Sequence, residues 1–275
     1  MQGHGEHAQI GFIGGGNMAR AMIGGLIAAG HPASEIRVAE PDAAQRASLN
    51  SQWPDLETTT DNKDLAAWSA LCVLAVKPQV MPDVAQALDG LDTDPLYLSI
   101  AAGVRSADLS RWLGGGRVVR AMPNQGALVG HSATGLYSNA ALDGLERATI
   151  DALVATIGTA YWVANEADID AVTAIAGSGP AYFFLLMEYL EQAGEDFGLD
   201  PSAVRHMVAE TAVAAALLAV ESDEPVATLR ARVTSPGGTT AAALDHLAKH
   251  DTAALFAAAF EQARNRAREL ADRTP

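Results

Sequence analysis

At 275 residues, nearly half of them apolar, the chain is long enough for two domains with a sizeable core. Its net charge of −15 argues against a nucleic-acid or anionic-membrane partner, either of which would want a basic patch. The single cysteine, Cys72, excludes a disulfide within the chain.

Met1 to Ala8 reads as a loose tail without the apolar core of a signal peptide. Residues 10–13 read as a short buried strand, followed by the turn Gly14-Gly15-Gly16 and a helix over 17–29. Together they carry Gly14-x-Gly16-x-x-Ala19, a dinucleotide fingerprint. The first glycine allows the tight turn, and the second clears room for a pyrophosphate. The small third residue lets helix and strand pack closely, and the helix's free N–H groups face the phosphates. An ordinary glycine-rich turn is the competing reading.

Residues 35–39 form a second strand ending at Glu40, where an acidic side chain can take the adenosine ribose hydroxyls and repel a 2′-phosphate. A solvated loop carboxylate is the alternative, since Pro41 follows directly. A helix over 42–50, a short strand over 58–60 and a helix over 61–69 come next. The apolar run 71–76 has the character of a central parallel strand, in which Cys72 reads as a small hydrophobe rather than a nucleophile. It ends at Lys77-Pro78, on the sheet edge where ligands bind in open α/β sheets; a plain surface lysine is the other reading. Helix 80–88 and strand 96–100 lead to Ala101-Ala102-Gly103, small enough for a flat ring to lie against the backbone. Helix 106–113, strand 117–122, strands over 134–137 and 158–163 and a helix over 143–157 complete an alternating pattern, predicting a doubly wound parallel sheet.

Past Glu166 the strand-like alternation ends. Helices are expected over 168–176, 181–197, 201–222, 226–233, 240–249 and 252–271, with Gly177-Ser178-Gly179-Pro180 breaking the first from the second. The domains are thus 1–164, a Rossmann-type sheet, and 165–275, an all-helical domain. The apolar stretch 207–220, interrupted by Glu210 and Thr211, looks too short to cross a bilayer, so a cytoplasmic protein is expected. The stripes 182–190 and 214–220 point to a helix-exchange dimer, packing within one chain being the alternative. Before the helix at 240, Ser235-Pro236-Gly237-Gly238-Thr239-Thr240 offers a cup of N–H and O–H donors suited to a carboxylate; a tight turn with a capped helix is the plainer reading.

With both donor-rich stretches read, the chain resembles the pyrroline-5-carboxylate reductase family over nearly its whole length. The matching pieces are IGFIGGGNMA (10–19), LAVKP (74–78), SIAAGV (99–104), RAMPN (120–124), AGSGPAY (176–182) and VTSPGGTT (233–240). The resemblance implies reduction of a cyclic imine to L-proline by a nicotinamide cofactor, usually NADPH, in an interlocked homodimer that in some members builds a larger ring of dimers. It implies an active site with parts from two subunits; no metal is expected. By that resemblance Gly14, Gly15, Gly16, Asn17 and Met18 line the pyrophosphate. Asn62, Ala75, Val76, Lys77 and Pro78 border the ribose and phosphates. Ala101, Ala102, Gly103, Met122, Pro123 and Asn124 lie near the nicotinamide. Ser235, Gly237, Gly238 and Thr239 hold the substrate carboxylate, and Thr240 reaches the ring nitrogen as the catalytic hydroxyl.

Two departures stand out. Gln125-Gly126 replaces the family's usual Thr-Pro, and Glu40 occupies a position where many members carry a hydroxyl or basic residue, making NADH a possible donor. A dehydrogenase of the 3-hydroxyacid type would want a lysine on the first helix of the second domain, and 168–176 contains none. A non-catalytic NAD(P) sensor would have no use for the carboxylate cup.

Overall fold

The computed structural model describes residues 7–272; most of the expected N-terminal tail, 1–6, lies outside that range. Strand β1 (Ile10–Ile13) is buried at every residue because it sits inside an eight-stranded sheet. The other strands are β2 (Ile36–Ala39), β3 (Glu57–Thr59), β4 (Leu71–Leu74), β5 (Leu96–Ser99), β6 (Val118–Met122), β7 (Ser132–Ser138) and β8 (Gly158–Trp162). Their order is β3-β2-β1-β4-β5-β6-β7-β8. The strand order reverses between β1 and β4, and at such a switch point a crevice opens beyond the carboxyl ends of the strands.

Helices α1 (Asn17–Ala28), α2 (Ala43–Gln52), α3 (Asn62–Trp68), α4 (Met81–Ala87), α5 (Ser106–Trp112) and α6 (Gly144–Ala155) cover the sheet. Successive strand residues face opposite sides, so Phe12 enters one core with Met22, Leu98 and Leu153 while Ile13 enters the other with Leu74, Met81 and Leu109. Each such side chain contributes roughly 1.5–3 kcal/mol on burial. Asp42, Asp61 and Asp143 cap α2, α3 and α6 by accepting first-turn N–H groups, and Glu146 completes a capping box with Asp143.

The parallel sheet expected from the alternation needs one correction. Strands β1 to β6 are parallel, but β7 runs antiparallel to β6, and β8 is parallel to β7. Between β6 and β7 the chain makes only a 3-10 turn, Gln125–Val129, capped by Asn124. A connection this short cannot carry the crossover a parallel neighbour requires.

The expected break at 177–180 is also corrected. Helix α7 (Asp168–Val172) passes into a π turn, Thr173–Gly177, and α8 (Gly179–Asp196) begins after Ser178 alone. Pro180 is tolerated because it stands in the first turn of α8, where its missing N–H costs nothing. Then come α9 (Pro201–Val220), α10 (Val226–Arg232), α11 (Thr239–Lys249) and α12 (Thr252–Asp272).

The described residues divide into two compact units, 7–178 with 263–272, and 179–262. In the second unit α8 and α9 approach closely at Gly194, where a Cβ would stand 2.7 Å from Val204 Cγ1. Tyr182 packs on Phe260, whose ring also stacks with Phe256. Yet Phe183, Phe184, Leu186, Tyr189, Leu217 and Leu218 remain exposed. By length and composition, 168–196 and 201–220 pass as bilayer spans, so length does not exclude that reading as the sequence had implied. An unpaired apolar helical surface is equally what a dimerising unit presents before it meets its partner.

Candidate active site

Gly14 follows β1 with φ +102°, a conformation side chains rarely adopt. Its N–H donates to Ala39 O at 2.8 Å, and an added Cβ would stand 2.7 Å from Ala75 O. The turn is therefore wedged between the ends of β2 and β4. Gly16 differs: a Cβ there would meet nothing within 4 Å, and no side chain caps α1. The turn thus presents open space against uncapped N–H groups, the environment a diphosphate requires. Ala19 is buried, as the close packing of helix on strand demands.

Glu40 is buried rather than solvated. Its Oε2 accepts Gly15 N–H at 2.9 Å and its Oε1 accepts Asp42 N–H at 3.0 Å. Arg20 Nε donates to Gly15 O at 3.1 Å, so the peptide groups before and after Gly15 are each held. Arg46 Nη1 donates to the carbonyls of Glu40 and Pro41, not to the Glu40 carboxylate. The carboxylate is thus directed at the glycine turn.

The segment Ala75-Val76-Lys77-Pro78 follows β4 on the same sheet edge, with Lys77 exposed, and Asn62 opens α3 beside its cap Asp61. Ala101, Ala102 and Gly103 form the turn between β5 and α5. Gly103 lies against Leu270 of α12, where a Cβ would stand 3.1 Å from Leu270 Cβ. Met122, Pro123 and Asn124 leave the end of β6. Asn124 Nδ2 donates to Ala176 O at 2.9 Å, and its Oδ1 accepts Gly126 N–H at 2.8 Å. The substituted Gln125-Gly126 segment therefore has an ordered turn of its own.

A charged cluster beside these turns was not anticipated. Arg120, a buried residue of β6, donates through Nη1 to Glu166 Oε1 at 2.7 Å. Glu166 also accepts Ser106 N–H at 2.6 Å and Ser106 Oγ–H at 2.9 Å. Burial alone would raise the Glu166 pKa, but the Ser106 donors and Arg120 hold it below the ordinary carboxylate value. One turn along, burial raises the Asp170 pKa, partly offset by Arg120, Arg105 and Arg268. Arg105 also pairs with Asp272. The available signal was an arginine inside the apolar strand VVRAM, which has to find a partner.

The second unit holds the other donor-rich stretch. Gly238 N–H donates to Ser235 O at 3.0 Å, Gly237 has φ +70°, and Ser235 Oγ lies where a Gly238 Cβ would go. No side chain caps α11, whose first two residues are Thr239 and Thr240. Ser235, Gly237 and Thr239 are exposed; Gly238 and Thr240 are half-buried. Backbone N–H groups and hydroxyls without a positive side chain suit one carboxylate.

The family described as pyrroline-5-carboxylate reductase dimerisation matches residues 166–270. The family described as NADP oxidoreductase coenzyme F420-dependent matches residues 9–103. The chain is 44% identical over 266 residues to pyrroline-5-carboxylate reductase of Pseudomonas aeruginosa, covering 96% of this chain and 97% of that protein. A pyrroline-5-carboxylate reductase structure from Coxiella burnetii superposes with a TM-score of 0.91 at 38% identity, covering 96% of this chain and 99% of that one. The Plasmodium falciparum pyrroline carboxylate reductase structure with NADP bound gives 0.84 at 27% identity, covering 97% and 99%.

Proposed function

The chain belongs to the pyrroline-5-carboxylate reductase family, and from that premise we propose that it reduces 1-pyrroline-5-carboxylate to L-proline, using NADP(H), as the last step of proline biosynthesis. The observation that carries the assignment to this site is the glycine turn at the strand-order reversal, open at Gly16 and faced by uncapped N–H groups. A dinucleotide's phosphates fit that space. Gly14, Gly15, Gly16, Asn17 and Met18 hold the pyrophosphate; Asn62 and 75–78 border the ribose and phosphates; 101–103 and 122–124 carry the nicotinamide. Bound NADPH supplies the hydride that the imine carbon accepts.

Residues 235–240 hold the substrate. The first-turn N–H groups of α11, with Ser235, Gly237, Gly238 and Thr239, fix its carboxylate and thereby its orientation. The Thr240 hydroxyl bonds the ring nitrogen and keeps the proton there. A protonated imine is already a strong acceptor, so the residues are asked mainly to orient it, and a threonine hydroxyl suffices where a strong acid is not needed. Glu40 follows the end of β2, and although its carboxylate is committed to the Gly15 and Asp42 amides, its negative charge there disfavours a 2′-phosphate and makes NADH a second usable donor.

The proposed state is a cytoplasmic homodimer, formed through the apolar faces of α8 and α9, with neither nucleic acid nor membrane as partner. Its mass in solution distinguishes a single dimer from a ring of dimers. Purified protein mixed with NADPH and pyrroline-5-carboxylate should consume the reduced-nicotinamide absorbance and yield L-proline. Cofactor binding without turnover would defeat the reductase reading and favour a sensor.

A further inference from the structure

We propose that Glu166 is a positioning residue for the cofactor, holding the turn between β5 and α5 in shape from a distant point in the chain. The proposal rests on the reading that this turn carries the nicotinamide. Six residues, 100–105, separate Ser99, the end of β5, from Ser106, the start of α5. Ser99 is fixed by pairing with Arg120 on β6. Ser106 is fixed by Glu166, which takes both its N–H and its hydroxyl. Arg105, the residue before α5, makes no side-chain cap, so the capping function has passed to a carboxylate 60 residues away.

Glu166 Oε1 also receives Arg120, so one carboxylate ties the far end of the turn to the strand that anchors its near end. The sheet topology makes the tie possible. Leu136 pairs with both Ala121 and Trp162, so β8 ends level with Ala121, across the intervening β7, and four residues later the chain delivers Glu166 to Arg120. Leu270 supports Gly103 from outside, and Arg105 is drawn to Asp272. A turn held this way keeps its shape before a ligand arrives, and preorganisation of this kind lowers the cost of binding.

The test uses the full-length protein with Glu166→Gln and Ser106→Ala. Glu166→Gln preserves shape but removes the charge facing Arg120. Ser106→Ala removes one hydroxyl donor and leaves the ion pair, so it remains informative should the first variant fail to fold. Amide exchange over 100–106 in cofactor-free protein should quicken about tenfold in Glu166→Gln. NADPH dissociation constants should rise about 5–10-fold in Glu166→Gln and 2–3-fold in Ser106→Ala. The KM for pyrroline-5-carboxylate should stay within twofold. Faster exchange with unchanged NADPH affinity would leave Glu166 a purely structural residue and overturn the proposal, as would no change in either quantity. A parent protein without turnover, combined with the expected affinity shift, would defeat the reductase reading and leave the role of Glu166 standing.

Discussion

Gly14 and Gly16 stand two residues apart, yet the same methyl group added to each should be felt in different measurements. At Gly14 an alanine must hold φ +102° with its Cβ 2.7 Å from Ala75 O, so the β1 turn or the end of β4 has to move. Backbone strain of about 1–3 kcal/mol, plus the clash, gives an expected loss of ~2–4 kcal/mol. At ~2–4 °C per kcal/mol for a unit of this size, the melting temperature of Gly14→Ala should fall by about 5–15 °C. Gly16 has φ −71°, which alanine adopts freely, and open space where its Cβ would go. Gly16→Ala should melt within about 2 °C of the parent, since substitutions free of strain and clash cost little. Its methyl instead enters the space proposed for the phosphates, and NADPH affinity should fall ~10–100-fold, equivalent to about 1.4–2.8 kcal/mol. Calorimetry and NADPH fluorescence titration measure the two quantities. A Gly16→Ala variant that binds NADPH within threefold of the parent would remove the phosphates from this turn. An unshifted melting temperature in Gly14→Ala would refute the wedge argument.

Glu40→Ser should raise the ratio of kcat/KM for NADPH over NADH by ~10-fold, since a carboxylate near a 2′-phosphate costs about 1–2 kcal/mol; a ratio unchanged within twofold refutes that placement. Thr240→Ala should lower kcat by ~10²-fold without altering thermal unfolding, and a drop smaller than threefold removes the hydroxyl from the mechanism. Acid should weaken the fold through Glu166. Its folded pKa lies below the ordinary 4.5, so its stabilisation is full above that value and is lost as pH falls through the folded pKa. Asp170 acts in the opposite sense, its raised pKa favouring the folded state at low pH, with Arg105, Arg120 and Arg268 opposing. Melting temperatures between pH 3 and 7 should therefore decline less steeply in Glu166→Gln than in the parent, and equal slopes would contradict the assignment.

The β1 turn was legible because its determinants are local: four apolar residues, three glycines and a helix pattern in one short stretch. The helix starts at Asp42, Asp61 and Asp143 follow from equally local capping chemistry. The reversal of β7 was not legible from its own residues, since strand composition fits either direction; the brevity of the preceding loop held the signal. At 173–180 the glycines and Pro180 read as a breaker, because a π turn has no local composition to announce it. Glu40 was placed at the right strand end, but its commitment to the Gly15 and Asp42 amides depended on the fold. The partnership of Arg120 with Glu166 spans 46 residues, and no periodicity encodes such a distance.

Cys72 lies at the heart of β4, paired on both sides and closed to solvent, with its thiol pushed far up by burial. A thiol alkylator can therefore reach the chain's one sulfhydryl only when the central sheet opens. Labelling kinetics then act as a stopwatch for global unfolding, reading rare excursions under native conditions. A second cysteine engineered on the surface could likewise carry a fluorophore without competition from the native one.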